Sequence, residues 1–188
     1  MRLFIAIDFE DKIKDQIYQR AKELRQYAES GNFIKRDNLH LTLAFLGEMP
    51  TEKIEGILKV MERSDTGMFT LQLEGTGKFQ RGSESIYWCG IKSSESLLEL
   101  QSKLVQGLKA EGYRVDDKPY RPHITLGRRC RMKSGFSMEA YQEHMTPINL
   151  QVQKISLMKS ERVDGELRYT EIGSSALRKH EDFGEKLN

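Results

Sequence analysis

The tripeptides His40-Leu41-Thr42 and His123-Ile124-Thr125 stand 83 residues apart, and the chain around them repeats at the same interval. An apolar stretch precedes each histidine by 36 residues, so that Phe4 in one copy falls on Tyr87 in the other. Between stretch and histidine each copy carries apolar residues three or four apart, the period of a helix with one buried face. These are Ile13, Ile17, Ala21, Leu24 and Ala28, stopped by Ser30-Gly31, and Leu97, Leu100, Leu104 and Leu108, stopped by Gly112. After each histidine strand comes a further helix, starting at Pro50-Thr51-Glu52 and carrying Ile54, Ile57, Leu58 and Met61, or over Met138 to His144, and then an alternating tripeptide. The tripeptides are Leu71-Gln72-Leu73, which Gly75 and Gly77 are expected to end, and Leu150-Gln151-Val152, which reads as running on through Ile155 to Met158. Val163-Asp164-Gly165 is a turn, and Leu167 to Ile172 a last strand.

Strand–helix–strand–helix–strand written twice, in halves of about 80 residues, predicts an α+β fold of two pseudo-symmetric lobes from an internal duplication. No Pro/Gly/Ser-rich linker separates the halves, so residues 1–173 are expected to form a single bilobal domain with 174–188 as a polar tail. A doubly wound parallel sheet is the rival, but no glycine-rich loop follows the first strand.

Alternate side chains of a strand share a face. His40, Thr42 and Ala44 therefore share one, with Leu39, Leu41, Leu43 and Phe45 on the other; His123 and Thr125 oppose Ile124 and Leu126 in the same way. The apolar sets face the core, which leaves each His-Thr pair facing a cleft. Two imidazoles across a cleft can hold one proton between them near neutrality, one taking a proton from water and one giving a proton to a leaving oxygen. Threonine hydroxyls can donate to non-bridging phosphate oxygens. One His-x-Thr alone is ordinary strand sequence; two at equivalent points of a duplication are a site.

The flanks add cations. Arg121, two residues before His123, faces the cleft if the strand is regular, whereas Arg128 points away unless a bulge at Gly127 re-aims it. Arg128, Arg129, Arg131 and Lys133 form a local anion patch, with Lys35 and Arg36 as a smaller counterpart before the first motif. Phe33, Tyr120, Phe4 and Trp88 are aromatic candidates for stacking a nucleobase, with core packing favoured for the last two. His144 and His180 are surface residues. No His-x-His, His-Glu-x-x-His or Asp/Glu cluster joins the motif histidines, so no metal or other cofactor is expected.

A formal charge of +2, from 30 basic and 28 acidic residues, gives no general attraction for polyanions, so any must be local. With 38% apolar and 31% charged residues the chain reads as soluble and globular. Cys89 and Cys130 read as buried free thiols suited to a reducing compartment. With no targeting or membrane-spanning segment, a cytoplasmic monomer with no obligate protein partner is expected.

The opening Arg2-Leu3-Phe4-Ile5-Ala6-Ile7, the run Asn38-Leu39-His40-Leu41-Thr42-Leu43-Ala44-Phe45-Leu46-Gly47-Glu48 and the run Arg121-Pro122-His123-Ile124-Thr125-Leu126-Gly127-Arg128 carry a family resemblance. Over residues 1 to 172 the chain resembles the two-histidine phosphoesterases, and within them the RNA 2′,3′-cyclic phosphodiesterases once described as bacterial and archaeal 2′–5′ RNA ligases. The resemblance implies antiparallel sheets lining a central cleft with helices outside. It implies an RNA 2′,3′-cyclic phosphate end as substrate, opened to a 2′-phosphomonoester. His40 would protonate the departing O3′, His123 would activate water, and Thr42, Thr125 and Arg128 would hold the phosphate. Phe33 stands where that family more often shows Trp. Open beside this reading are 2′–5′ ligation at the same site, a small cyclic-nucleotide phosphodiesterase, and a noncatalytic RNA-end binding module.

Overall fold

A computed structural model describes residues 1–116 and 118–179. In chain order the elements are β1 (Arg2–Asp8), α1 (Asp11–Gln26), β2 (Ala28–Phe33), β3 (His40–Glu48), α2 (Ile54–Arg63), β4 (Phe69–Arg81) and β5 (Glu84–Ile91). They continue with α3 (Glu95–Ala110), β6 (His123–Met132), α4 (Met138–Gln142), β7 (Ile148–Val152), β8 (Lys154–Val163) and β9 (Glu166–Ala176). The strands form two antiparallel sheets, ordered β3-β1-β8-β9 and β2-β6-β5-β4-β7. The expected α+β architecture with two lobes is present.

Each lobe is built on the same pair: β1 with β3, and β5 with β6. Every strand of the two pairs turns an apolar side inward. Leu3, Ile5 and Ile7 of β1 and Leu41 and Leu43 of β3 join Cys89, Ile124 and Leu126 in one continuous core. Helices α1 and α3 close it with Ile17, Ala21 and Leu24 and with Leu97, Leu100, Leu104 and Leu108. Ser94 starts α3 by accepting from the Leu97 amide, a cap typically worth about 1 kcal/mol. Cys89 and Cys130 are free and buried, as expected.

Five details differ from the sequence reading. Residues Ala28–Phe33 form the edge strand β2 instead of ending a helix, because their amides and carbonyls pair with β6. Gly75 and Gly77 do not end β4. Gly75, at φ +73°, sits in a bulge between Leu73 and Thr76, and Gly77 lies under the Trp88 ring, where a Cβ would come within 2.2 Å of it. The run from Ile148 to Met158 is two strands in different sheets, divided at Gln153. The tripeptides Leu71-Gln72-Leu73 and Leu150-Gln151-Val152 are neighbours, Leu71 opposite Leu150, and not equivalents in separate lobes. The place of β4 beside β5 is taken in the other lobe by β8 beside β1, so the halves exchange strands. Finally, the polar tail expected from 174 begins later among the described residues. β9 runs to Ala176, Leu177 is buried, and its amide donates to the Gln153 carbonyl at 2.8 Å. His180 lies outside the described residues.

Candidate active site

The two motif strands carry the same irregularity. In β3 the register against β1 passes from Thr42 opposite Ala6 to Ala44 opposite Ile5, which leaves Leu43 as an extra residue. In β6 it passes from Thr125 opposite Trp88 to Gly127 opposite Tyr87, which leaves Leu126 extra. Each extra residue reverses the alternation beyond it. Ala44 and Leu46 are therefore buried in the core, while Phe45 turns outward with 54% exposure. That corrects the expected placing of Ala44 in the cleft and Phe45 in the core. By the same device Arg128 enters the cleft, the bulge lying one residue earlier than expected, at Leu126. Phe45 and Arg128 are also 83 residues apart and are counterparts.

The cleft that results has a volume of 310 Å³, and His40, Thr42, Phe45, His123, Thr125 and Arg128 all line it. A smaller hollow of 240 Å³ adjoins it and shares His40, Phe45, Arg128 and Tyr169. Both His-Thr pairs thus meet at one site. Arg128 reaches Thr125, Nη2 to Oγ1 at 3.5 Å.

Each histidine is held by one carbonyl and flanked by two aromatic rings, and His40 alone also meets its motif threonine. Nδ1 of His40 lies 2.7 Å from the Asn38 carbonyl, and Nδ1 of His123 lies 2.7 Å from the Arg121 carbonyl. A carbonyl only accepts, so Nδ1 carries the hydrogen in both rings, and each Nε2 is left to gain or lose a proton. Nε2 of His40 is 3.0 Å from the Thr42 hydroxyl. An aromatic ring then stands edge-on to each imidazole at 5.1 Å: Tyr169 to His40, and Phe79 to His123. A second ring from the paired strand supports each, Phe4 at 4.9 Å and Trp88 at 6.3 Å. Burial pushes the pKa of both histidines down, and the Arg128 charge pushes both the same way. The carbonyl hydrogen bonds oppose this.

Several flanking residues take other places. Arg121 contributes its carbonyl to the site, and its side chain is exposed; β6 begins only at His123, so strand parity does not reach it. Phe33 and Tyr120 pack against the core rather than lining the cleft. The Phe33 ring covers Gly31 and Gly127, and the Tyr120 hydroxyl donates to the Thr42 carbonyl at 3.0 Å. Arg129 and Arg131 are exposed. Lys35 pairs with Glu166, and Arg36 with Asp11, Asp15 and Asp37, so neither mirrors Arg128.

Sequence reasoning missed Phe79, Tyr169 and Asn38. Asn38 is buried and ties β9 to the first motif, its Nδ2 donating to the Leu167 carbonyl at 2.9 Å and its Oδ1 accepting from the Tyr169 amide at 3.2 Å. No period could have found Tyr169, which comes from a strand of the far end of the chain. Among the described residues no three or more His, Cys, Asp or Glu side chains gather as metal ligands, and no helix is long and apolar enough to cross a membrane.

The chain is similar to known proteins in sequence and in fold. The curated RNA 2′,3′-cyclic phosphodiesterase of Thermotoga maritima is 34% identical over 131 residues, covering 68% of this chain and 70% of its own. That of Escherichia coli is 36% identical over 129 residues, covering 68% and 71%. Among solved structures, E. coli LigT complexed with 3′-AMP superposes with a TM-score of 0.77 at 32% identity, covering 94% of this chain and 97% of its own. TT0787 of Thermus thermophilus gives 0.76 at 27% identity, covering 96% and 100%. The family model of the 2′-5′ RNA ligase superfamily matches residues 13–164. With that match spanning most of the chain and both motif strands inside it, this protein belongs to the 2′-5′ RNA ligase superfamily.

Proposed function

We propose that the protein hydrolyses the 2′,3′-cyclic phosphate at an RNA end to a 2′-phosphomonoester. The observation that carries this reading is the pair of imidazoles on opposite walls of one cleft, each with Nδ1 fixed to a carbonyl and Nε2 available for a proton. Opening the ring requires a water oxygen to attack phosphorus while the P–O3′ bond breaks. His123 takes the proton from water, and His40 supplies one to the departing O3′. Thr42, Thr125 and Arg128 donate to the phosphate oxygens as negative charge develops on them. Relatives across bacteria and archaea carry the name of this activity.

The test is hydrolysis of an oligoribonucleotide bearing a 2′,3′-cyclic phosphate, with the product read by phosphorus NMR in the presence of EDTA. A 2′-phosphomonoester formed at an undiminished rate is expected. A 3′-phosphate, or loss of activity to the chelator, would overturn the reading.

Phe45 takes the base-stacking part for which Phe33 and Tyr120 are the sequence candidates. It is an exposed ring between the two hollows, next to Arg128. Stacking of a base on an aromatic side chain is worth roughly 1–3 kcal/mol. Phe45→Ala is expected to raise KM on the order of tenfold with little change in kcat, as steady-state kinetics on a cyclic-phosphate dinucleotide will show.

A further inference from the structure

The two halves of the site match in their carbonyl anchors, their edge-on rings and their bulges, and besides the exchange of Phe45 for Arg128 they differ at the position paired with each histidine. Directly opposite His40, across β1 and β3, stands Asp8; directly opposite His123, across β5 and β6, stands Gly90. Side chains so paired share a face, with Cβ atoms about 4.5–5.5 Å apart. A carboxylate therefore stands on the same wall as His40. The paired position on the second wall cannot carry one, because a Cβ on Gly90 would lie 2.5 Å from the Glu74 carbonyl oxygen.

We propose that Asp8 is the positioning residue that makes the two histidines unequal, assigning the proton-donor role to His40 by placing a carboxylate beside its ring alone. This rests on the hydrolytic reading above and says which wall gives the proton. A nearby negative charge favours the protonated imidazole, and Asp8 opposes the burial that drives His40 toward neutrality. The remaining groups around His40 do not substitute for it. Arg128 and His123 on β6 disfavour its charge, Tyr169 on β9 is a phenol, and Arg2 on β1 is a further cation lining the neighbouring hollow. Arg81 and Asp116 line the cleft with opposite signs. Lys14 of α1 tempers Asp8 through an ion pair at 2.8 Å whose members are 12% and 25% exposed. His123 has only its carbonyl anchor to offset burial and Arg128, which suits a group that must accept a proton.

The experiment is a side-chain NMR titration of both histidines in Asp8→Asn and Lys14→Met, with a pH–rate profile of each variant. In Asp8→Asn the His40 titration moves to lower pH while that of His123 stays. Turnover near neutrality falls by about tenfold, less than the loss expected on removing the imidazole, and recovers as the pH is lowered. In Lys14→Met, which frees the carboxylate and leaves no buried cation unpaired, the His40 titration and the high-pH limb move up. Lys14→Met carries the test alone if Asp8→Asn fails to fold. An unmoved His40 titration in the folded variants, or equal movement of both histidines, overturns the proposal. Because the titrations need no substrate, they stand apart from failure of the hydrolytic reading, which would appear as wild-type inactivity on cyclic phosphates.

Discussion

Replacing His40 or His123 with alanine is expected to lower turnover of a 2′,3′-cyclic phosphate by about 10²-fold or more, the loss typical of removing a general acid or base. Neither change should unfold the protein. Both rings stand on the cleft side of their strands, outside the Leu and Ile residues that fill the core. Each loses its hydrogen bond to a carbonyl, and His40 also its contact with Thr42, a cost of about 1 kcal/mol per bond. Circular dichroism melting will separate a catalytic loss from a structural one. The pH dependence follows from burial, which disfavours the imidazolium in both rings. The donor must be protonated, so kcat/KM of the wild type should fall as pH rises, with its maximum on the acid side of the ordinary imidazole range. A histidine variant with full activity would remove that residue from the mechanism.

The second large effect concerns the two arginines that flank His123. Arg128→Ala is expected to cost about 10²–10³-fold in kcat/KM, the magnitude seen when a donor to a developing negative charge is removed. Its guanidinium lies in the cleft beside Thr125, and the bulge at Leu126 directs it there. Arg121→Ala should change kcat/KM by no more than roughly threefold, since only its backbone carbonyl touches the site and alanine retains that carbonyl. Arg128→Lys keeps the charge but not the planar fork, and should recover only part of the loss. Equal effects at the two positions would mean that the phosphate lies nearer the entry to β6 than the threonines suggest.

Much of this was legible in the chain. The interval between the histidines places two equivalent strands, and the parity of His40-Leu41-Thr42 and His123-Ile124-Thr125 sets each pair on the cleft side, where the structure has them. Parity works while the pleat is regular. It fails one residue later, because leaving Leu43 and Leu126 unpaired is a property of the strand beside them, and nothing in either leucine announces it. That one residue exchanged the environments of Ala44 and Phe45, and brought Arg128 into the cleft. Phe33 and Tyr120 looked available because they are aromatic and close in sequence to the motifs; the glycines under Phe33 and the Thr42 carbonyl at Tyr120 take them elsewhere. The repeat also misled at its ends. It matched β4 with β7 by their alternation, but strand pairing places these side by side, and a one-dimensional period cannot distinguish an equivalent from a neighbour.

The exchange of strands between the halves has a consequence for how the molecule is made. During synthesis β1 and β3 are made before the other lobe, but β8, which covers the free edge of β1, and β9, which brings Tyr169 to His40, follow every other strand in chain order. Until then the nascent chain presents the backbone of β1 along an apolar, unpaired margin, the kind of surface that recruits foreign strands. The lobe formed by β5, β6 and β4 has its neighbours close in sequence and can close first. Birth order therefore runs opposite to chain order: the wall that carries the second histidine is finished before the wall that carries the first.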